Sequence, residues 1–266
     1  MKVIRPQWIM ALMGLIFFLE TYGQSQKAQT FDRLLSANWK EVLVEEGTSP
    51  WQDQWFLDGL EARVEQTPGG FSFYAGPDQF NDSSHAVLWT KKSFKGDIKI
   101  EYDFTKLDDR LVNVNILYIQ AMGHSPKPKD IRKWADQRTV PAMRLYFDHM
   151  DAYHISYAAF HTVNSDEQAD YLQARRYMPE WEQGLKNTAY GQRYEKTGLF
   201  QTGVTYHLVV IKKGNDLYMQ VTGKDEDRLF HWQDNSFPLI NEGRIGLRQM
   251  YTRHSKYRNF KISTAK

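Results

Sequence analysis

Between residues 144 and 162 the chain reads RLYFDHMDAYHISYAAFHT, with three histidines, three tyrosines, two aspartates and an arginine in a segment that alternates like a β-strand. A half-buried strand needs one apolar and one solvated face. It has no need of imidazoles, phenols and a guanidinium side by side. Those three side-chain types are the tools of β-elimination from a uronic acid. The C5 proton of such a sugar is too weakly acidic to leave until the adjacent carboxylate is neutralised. The planar fork of Arg suits that task. A base then takes the proton and an acid protonates the departing oxygen, roles open to His and Tyr.

Strand parity gathers the candidates. In HISYAAFHT (154–162), His154, Ser156 and Ala158 share one face, while Ile155, Tyr157 and Ala159 share the other. In RLYFDHM, read as a strand, Arg144, Tyr146 and Asp148 oppose Leu145, Phe147 and His149. In GRIGLRQM, Ile245 and Leu247 belong to a core, which turns Arg244, Gly246 and Arg248 away from it. The small Ala158 and Gly246 leave room on that polar side. His154 with Tyr146 or Tyr251 is expected to supply base and acid, and Arg248 the carboxylate clamp. Arg144, Asp148, Ser156, Arg175, Arg176, Tyr177, Arg244 and Arg253 are expected to bind substrate. Each has a plainer alternative. His154 can be a core histidine bonded to Asp148, Arg248 can pair with Glu242 or Asp148, and Arg175 with Arg176 can be a solvated doublet.

Other chemistries fit less well. Retaining glycosidases hold two carboxylates about 5–5.5 Å apart. The nearest strand pattern, Glu101 and Asp103, is followed by Thr105 rather than a third carboxylate and reads as a solvated face. Asp148 and Asp151 differ in parity. A hydrolase built on that unconventional pair, or a lectin without a base, remains an alternative. His85, His207 and His231 show no ligand spacing, and no acidic loop is dedicated to calcium. No cofactor or metal is expected, although a structural Ca2+ would be ordinary in a sandwich.

The elements that position these residues are strands. DIKIEYDF (97–104) alternates for eight residues, and YHLVVIKKGNDLYMQVTG reads as a hairpin turning at Gly214 and Asn215. Further short strands with turn signals between them predict a sandwich or barrel. Two stretches break the rhythm. Residues 122–142 hold three of the nine prolines, and residues 163–200 open on a possible capping box at Ser165 and Gln168. Together they carry Trp134, Tyr171, Tyr177, Trp181, Tyr190 and Tyr194 and are expected to be ordered rims over one face.

The first 23 residues read as a leader. Lys2 and Arg5 precede the apolar run 9–19, too short to span a bilayer, and cleavage is expected after Gly23. The expected remainder, residues 24–266, is a single secreted or periplasmic domain with no membrane span. Of 34 basic and 32 acidic residues, Lys2, Arg5 and Glu20 fall in the leader. The near-neutral remainder is a poor match for nucleic acid. With no cysteine, the domain must stand on its core.

The segments GDIKIEYDF, HISYAAF, ARRYMPE, GLF and GRIGLRQMYTRHSKYRNFKIS together resemble the YesU-like family of domains of unknown function. The resemblance spans roughly residues 40 to 264. It implies an all-β, concanavalin-A-like jelly-roll sandwich of two antiparallel sheets, with long loops over the concave face. It also implies carbohydrate chemistry of the kind encoded in bacterial polysaccharide-degradation loci. In that family a His often stands where this chain has Gln249, so no proton-transfer role is expected there. The combined expectation is a dehydratase or lyase acting on a uronic-acid-containing oligosaccharide from an acidic algal or plant wall, such as ulvan.

Overall fold

The computed structural model describes residues 25–110, 113–160, 170–181 and 184–266. The expected leader, His161 and the Ser165–Gln168 capping box lie outside the described residues. Trp39–Lys266 form one compact unit; residues 25–35, outside it, form a helix. Among the described residues no helix is long and apolar enough to cross a membrane.

The compact unit is built from strands β1 (Trp39–Glu45), β2 (Trp55–Asp58), β3 (Arg63–Thr67), β4 (Gly70–Tyr74), β5 (Ala86–Thr90), β6 (Phe94–Lys95), β7 (Ile98–Lys106), β8 (Asn113–Gly123), β9 (Met150–Phe160), β10 (Asp170–Tyr177), β11 (Ala189–Glu195), β12 (Thr205–Lys213), β13 (Asp216–Thr222), β14 (Asp227–Gln233), β15 (Glu242–Gln249) and β16 (His254–Ala265). They form two antiparallel sheets. The first runs β14-β13-β12-β7-β16-β4-β3, with β1 beside β16. The second runs β11-β10-β9-β8-β15-β5-β2, with β6 beside the start of β15. Of the sandwich or barrel that the short strands predict, this is the sandwich, as the resemblance implies. In β7, Ile98, Ile100, Tyr102 and Phe104 face the inter-sheet core and their neighbours are half-exposed. Gly214 and Asn215 make the β12–β13 turn as expected, between the paired Lys213 and Asp216.

The second sheet differs because both of its faces are covered. A second apolar cluster, including Val87, Trp89, Ile116 and Tyr118, lies on its outer side. It is capped by the segment before β9, which holds a 3-10 helix (Ile131–Arg138) and a short α-helix (Met143–Phe147). Strand β8 is accordingly buried on both sides.

Three local expectations change. Residues 143–147 are helical, and the strand begins only at Met150. Met143, Tyr146 and Phe147 stand at i, i+3 and i+4, a spacing that turns one helical stripe onto the sheet. The second stretch, 163–200, is no mere rim: it supplies strands β10 and β11. Finally, Ala158 has a φ of +43° where β8 and β9 lose register. That bulge turns Ala158 into the inter-sheet core and Ala159 outward.

Candidate functional site

The polar residues on the outer face of the second sheet fall into rows. One row runs Arg175, His154, Tyr118, Gly246 and Trp89 across β10, β9, β8, β15 and β5. The next runs Gln173, Ser156, Ile116, Arg248 and Val87, and ends at Asp58 on β2. Adjacent strands are about 4.8 Å apart. His154 therefore adjoins Tyr118 and shares its face with Ser156, and Arg248 lies diagonal to Tyr118.

His154 is 2% exposed, with Nδ1 2.5 Å from the Tyr177 hydroxyl and Nε2 2.6 Å from Ser156 Oγ. One nitrogen must donate and the other accept. The edge of the Tyr118 ring closes the third side. Burial, and then the charges of Arg175 and Arg248, hold this imidazole well below the usual histidine range. Asp148 takes no part, so the expected His154–Asp148 alternative is replaced by a Tyr177–His154–Ser156 chain.

Arg248 is fully buried. Its Nη2 donates to the Pro141 carbonyl at 2.8 Å, Nε faces the Met250 sulfur at 3.5 Å, and the guanidinium lies 4.5 Å above the Tyr146 ring. Among the described residues, Nη1 has no hydrogen-bond partner and no carboxylate lies within ion-pair distance. Neither Glu242 nor Asp148 neutralises it. Burying a cation without a counter-charge is costly, and this one lies among neutral groups.

A second imidazole flanks it. His85 accepts the Tyr251 backbone N–H at Nδ1, 3.1 Å away, which keeps that nitrogen unprotonated. Its Nε2 faces the largely exposed Asp82 at 3.3 Å. Burial, and then the Arg248 charge, lower His85 to about 2. The Tyr251 ring lies 4.7 Å from His85. Burial and the charge of Asp82 raise the Tyr251 hydroxyl, so it stays protonated. The sequence reading weighs His85 only as a metal ligand and leaves Tyr118 out. Parity on SHAVLWT and NVNILY would have found both, because His85, Val87 and Trp89 share a face, as do Ile116 and Tyr118.

One end of this face is clasped shut. Asp58 receives Arg138 Nε at 2.6 Å, Trp89 Nε1 at 2.8 Å and the Tyr146 hydroxyl at 3.1 Å. Burial pushes the Asp58 carboxyl up, and Arg138 leads the groups that oppose it. The Trp89 ring lies across Gly246, where a Cβ would come within 2.4 Å of it, and stacks on Tyr118. The room left by Gly246 is therefore filled by tryptophan rather than left for a ligand.

Several expected site residues serve elsewhere. Tyr146 stacks on Tyr118, but its hydroxyl is committed to Asp58, so it is no free acid. Because residues 143–147 are helical, Arg144 points into solvent, with a side chain 77% exposed and 3.7 Å from Asp148. Asp148 in turn accepts the Gly184 N–H. Arg176 points to the opposite side of β10 from Arg175, toward Asp151 and Tyr153. Arg244 is paired with Asp130 at 2.9 Å. Arg253 pairs with Asp108 and donates to the carbonyls of Asn113 and Ala158, pinning the bulge. Arg175 and Tyr177 do join the cluster. Arg175 donates to Leu185, Thr188 and Gln173 beside His154. Among the described residues no group of three or more metal-ligating side chains comes together.

The family model described as a domain of unknown function, DUF1961, matches residues 57–262. Among solved structures, a Bacillus subtilis protein of unknown function with a galectin-like fold superposes with a TM-score of 0.61 at 16% identity, covering 86% of this chain and all of that one. The legume lectin-like domain from Entamoeba histolytica gives 0.55 at 8% identity, with 86% and 100% covered. The VIP36 exoplasmic/lumenal domain, in its Ca2+/Man3GlcNAc-bound form, gives 0.53 at 11%, with 86% and 91% covered. These likenesses establish a lectin-like sandwich. No curated protein matches the chain.

Proposed function

The chain belongs to the DUF1961 family of unknown function, and we propose that it binds an acidic carbohydrate on the outer face of its second sheet and acts on it by β-elimination. One observation carries the reading: Arg248 is a fully buried guanidinium with a free Nη1 and no counter-charge among the described residues. A uronate carboxylate supplies the missing anion and the second half of a bidentate pair. The lectin-like fold agrees with a sugar ligand.

The chemistry follows from the neighbours. Arg248 neutralises the carboxylate and acidifies the C5 proton. With His154 Nδ1–H donated to Tyr177, Nε2 carries a lone pair toward Ser156 and takes that proton when substrate replaces the serine hydroxyl. The C5 electrons form a C4=C5 double bond as the C4–O bond breaks. Tyr251 protonates the leaving oxygen, which departs as water in a dehydratase or as a sugar hydroxyl in a lyase. No cofactor takes part. A secreted or periplasmic location, by way of the leader, fits a polysaccharide substrate.

A non-catalytic sugar-binding role is the second reading, favoured by the depth of His154 at 2% exposure. Arg248→Met and His154→Asn proteins separate the two. Elimination requires that His154→Asn bind a uronate-containing oligosaccharide without turning it over, while Arg248→Met does neither. A folded His154→Asn protein with full turnover would remove the assigned base. Binding by wild type with no product from any substrate would leave the lectin reading.

A further inference from the structure

The loop between β4 and β5 holds out a side chain that is costly on two counts. Phe80 is 71% exposed, and its φ is +66°. Bulky residues avoid that left-handed conformation, which Asn or Gly adopts readily. The loop does not leave Phe80 there by looseness. Asn81 accepts the Ser83 N–H at 3.1 Å, Ser84 Oγ donates to Glu61 at 2.5 Å, and the Asp78 N–H donates back to Ser84 at 3.1 Å. Gly76 permits this fold-back, since a Cβ there would lie 2.6 Å from Ser84. The Gly76 carbonyl accepts the Thr252 N–H at 2.9 Å, tying the loop to the turn that carries Tyr251.

Held this way, the Phe80 ring stands 5.6 Å from Tyr251, whose own ring lies 4.7 Å from His85. Two rings thus lead from the surface to the imidazole beside Arg248. Strain kept by a well-bonded loop at the edge of a site points to function. An aromatic held rigid costs little further ordering when a ligand arrives.

We propose that Phe80 is a stacking platform for the apolar C–H face of the sugar next to the uronate, which makes the ligand an oligosaccharide of at least two rings. This rests on the reading of Arg248 as the carboxylate clamp. The remote ring binds at Phe80 and the uronate is delivered to Arg248 and His154.

The test compares wild type, Phe80→Asn and Arg248→Met, each titrated calorimetrically with glucuronic acid and with a glucuronate-containing disaccharide and tetrasaccharide. Phe80→Asn is expected to melt no lower than wild type and to bind glucuronic acid unchanged, but to lose about tenfold affinity for the longer sugars. Arg248→Met is expected to lose affinity for all three. If Phe80→Asn binds the oligosaccharides like wild type while Arg248→Met is impaired, the platform is wrong and the clamp stands. If Arg248→Met binds like wild type, or wild type binds none of them, the clamp fails and the platform with it. A change in self-association on sedimentation, with sugar affinity intact, makes Phe80 a contact between copies and also overturns the proposal.

Discussion

Arg248 and His154 carry the proposed chemistry at the scale of single residues, with His85 as a second buried imidazole beside Arg248. An unneutralised buried cation destabilises the free protein and is compensated only when an anion arrives. Arg248→Met should therefore melt at or above the wild-type temperature while losing roughly 100-fold in affinity for a uronate. A large fall in melting temperature with unchanged binding would make Arg248 a structural residue. Sequence parity alone was enough to place His154, Ser156 and Arg248 on one face, because β9 and β15 alternate cleanly up to the bulge. It was not enough for Arg244 and Arg253, which share the favoured residue type but are taken up by Asp130 and Asp108. Alternation gives a side chain's direction and not its partners. His85 was weighed only as a metal ligand because it is distant in sequence from the other candidates and joins them only through β5 and β15.

At the scale of elements, the segment before β9 decides how much of the sheet face is open. Its hold is the Asp58–Arg138 ion pair, buried on both sides, with Trp89 and Tyr146 donating to the same carboxylate. Asp58→Asn leaves Arg138 buried without its counter-charge, which should cost about 3–5 kcal/mol in denaturant unfolding. Loss of under about 1 kcal/mol would show that the clasp contributes little. This segment was also where the sequence was hardest to read. MRLYFDHM satisfies a strand's period of two, yet five of its residues fold as a single helical turn with Tyr146 directed at Asp58 across 88 positions of chain. A helix that short has no periodic signature of its own, and the tertiary contact decides. Strands β10 and β11 were hidden in the same way among loop-like composition.

At the scale of the whole molecule, burial of neutral histidines ties stability to pH. In the unfolded chain each takes up a proton near pH 6.5; folded, His85 does so only at about 2, and His154 well below its ordinary value. The unfolded state thus binds more protons in this window. Stability is fully present above about pH 6.5 and falls as the pH drops toward the folded values, by up to about 1.4 kcal/mol per unit for each histidine. Denaturant midpoints taken from neutral pH down to about pH 5 should show that slope, and a His85→Gln, His154→Gln double variant should flatten it. An unchanged slope in the double variant would mean that other groups govern the acid response. Alternation in segments such as β7 and the β12–β13 hairpin made an all-β sandwich or barrel legible, and the choice of a two-sheet sandwich came from the family resemblance. What alternation did not show was that one sheet is covered on both faces, since a covering segment is a tertiary event.

The most direct measurement is made on the wild-type protein. It should be mixed with uronate-containing poly- and oligosaccharides, ulvan fragments among them, and followed by near-ultraviolet absorbance with product masses determined. β-Elimination predicts growing absorbance from the new conjugated double bond, with loss of water or chain cleavage, and none of it in Arg248→Met. Binding without any absorbance change, or cleavage to a saturated product, would contradict the account.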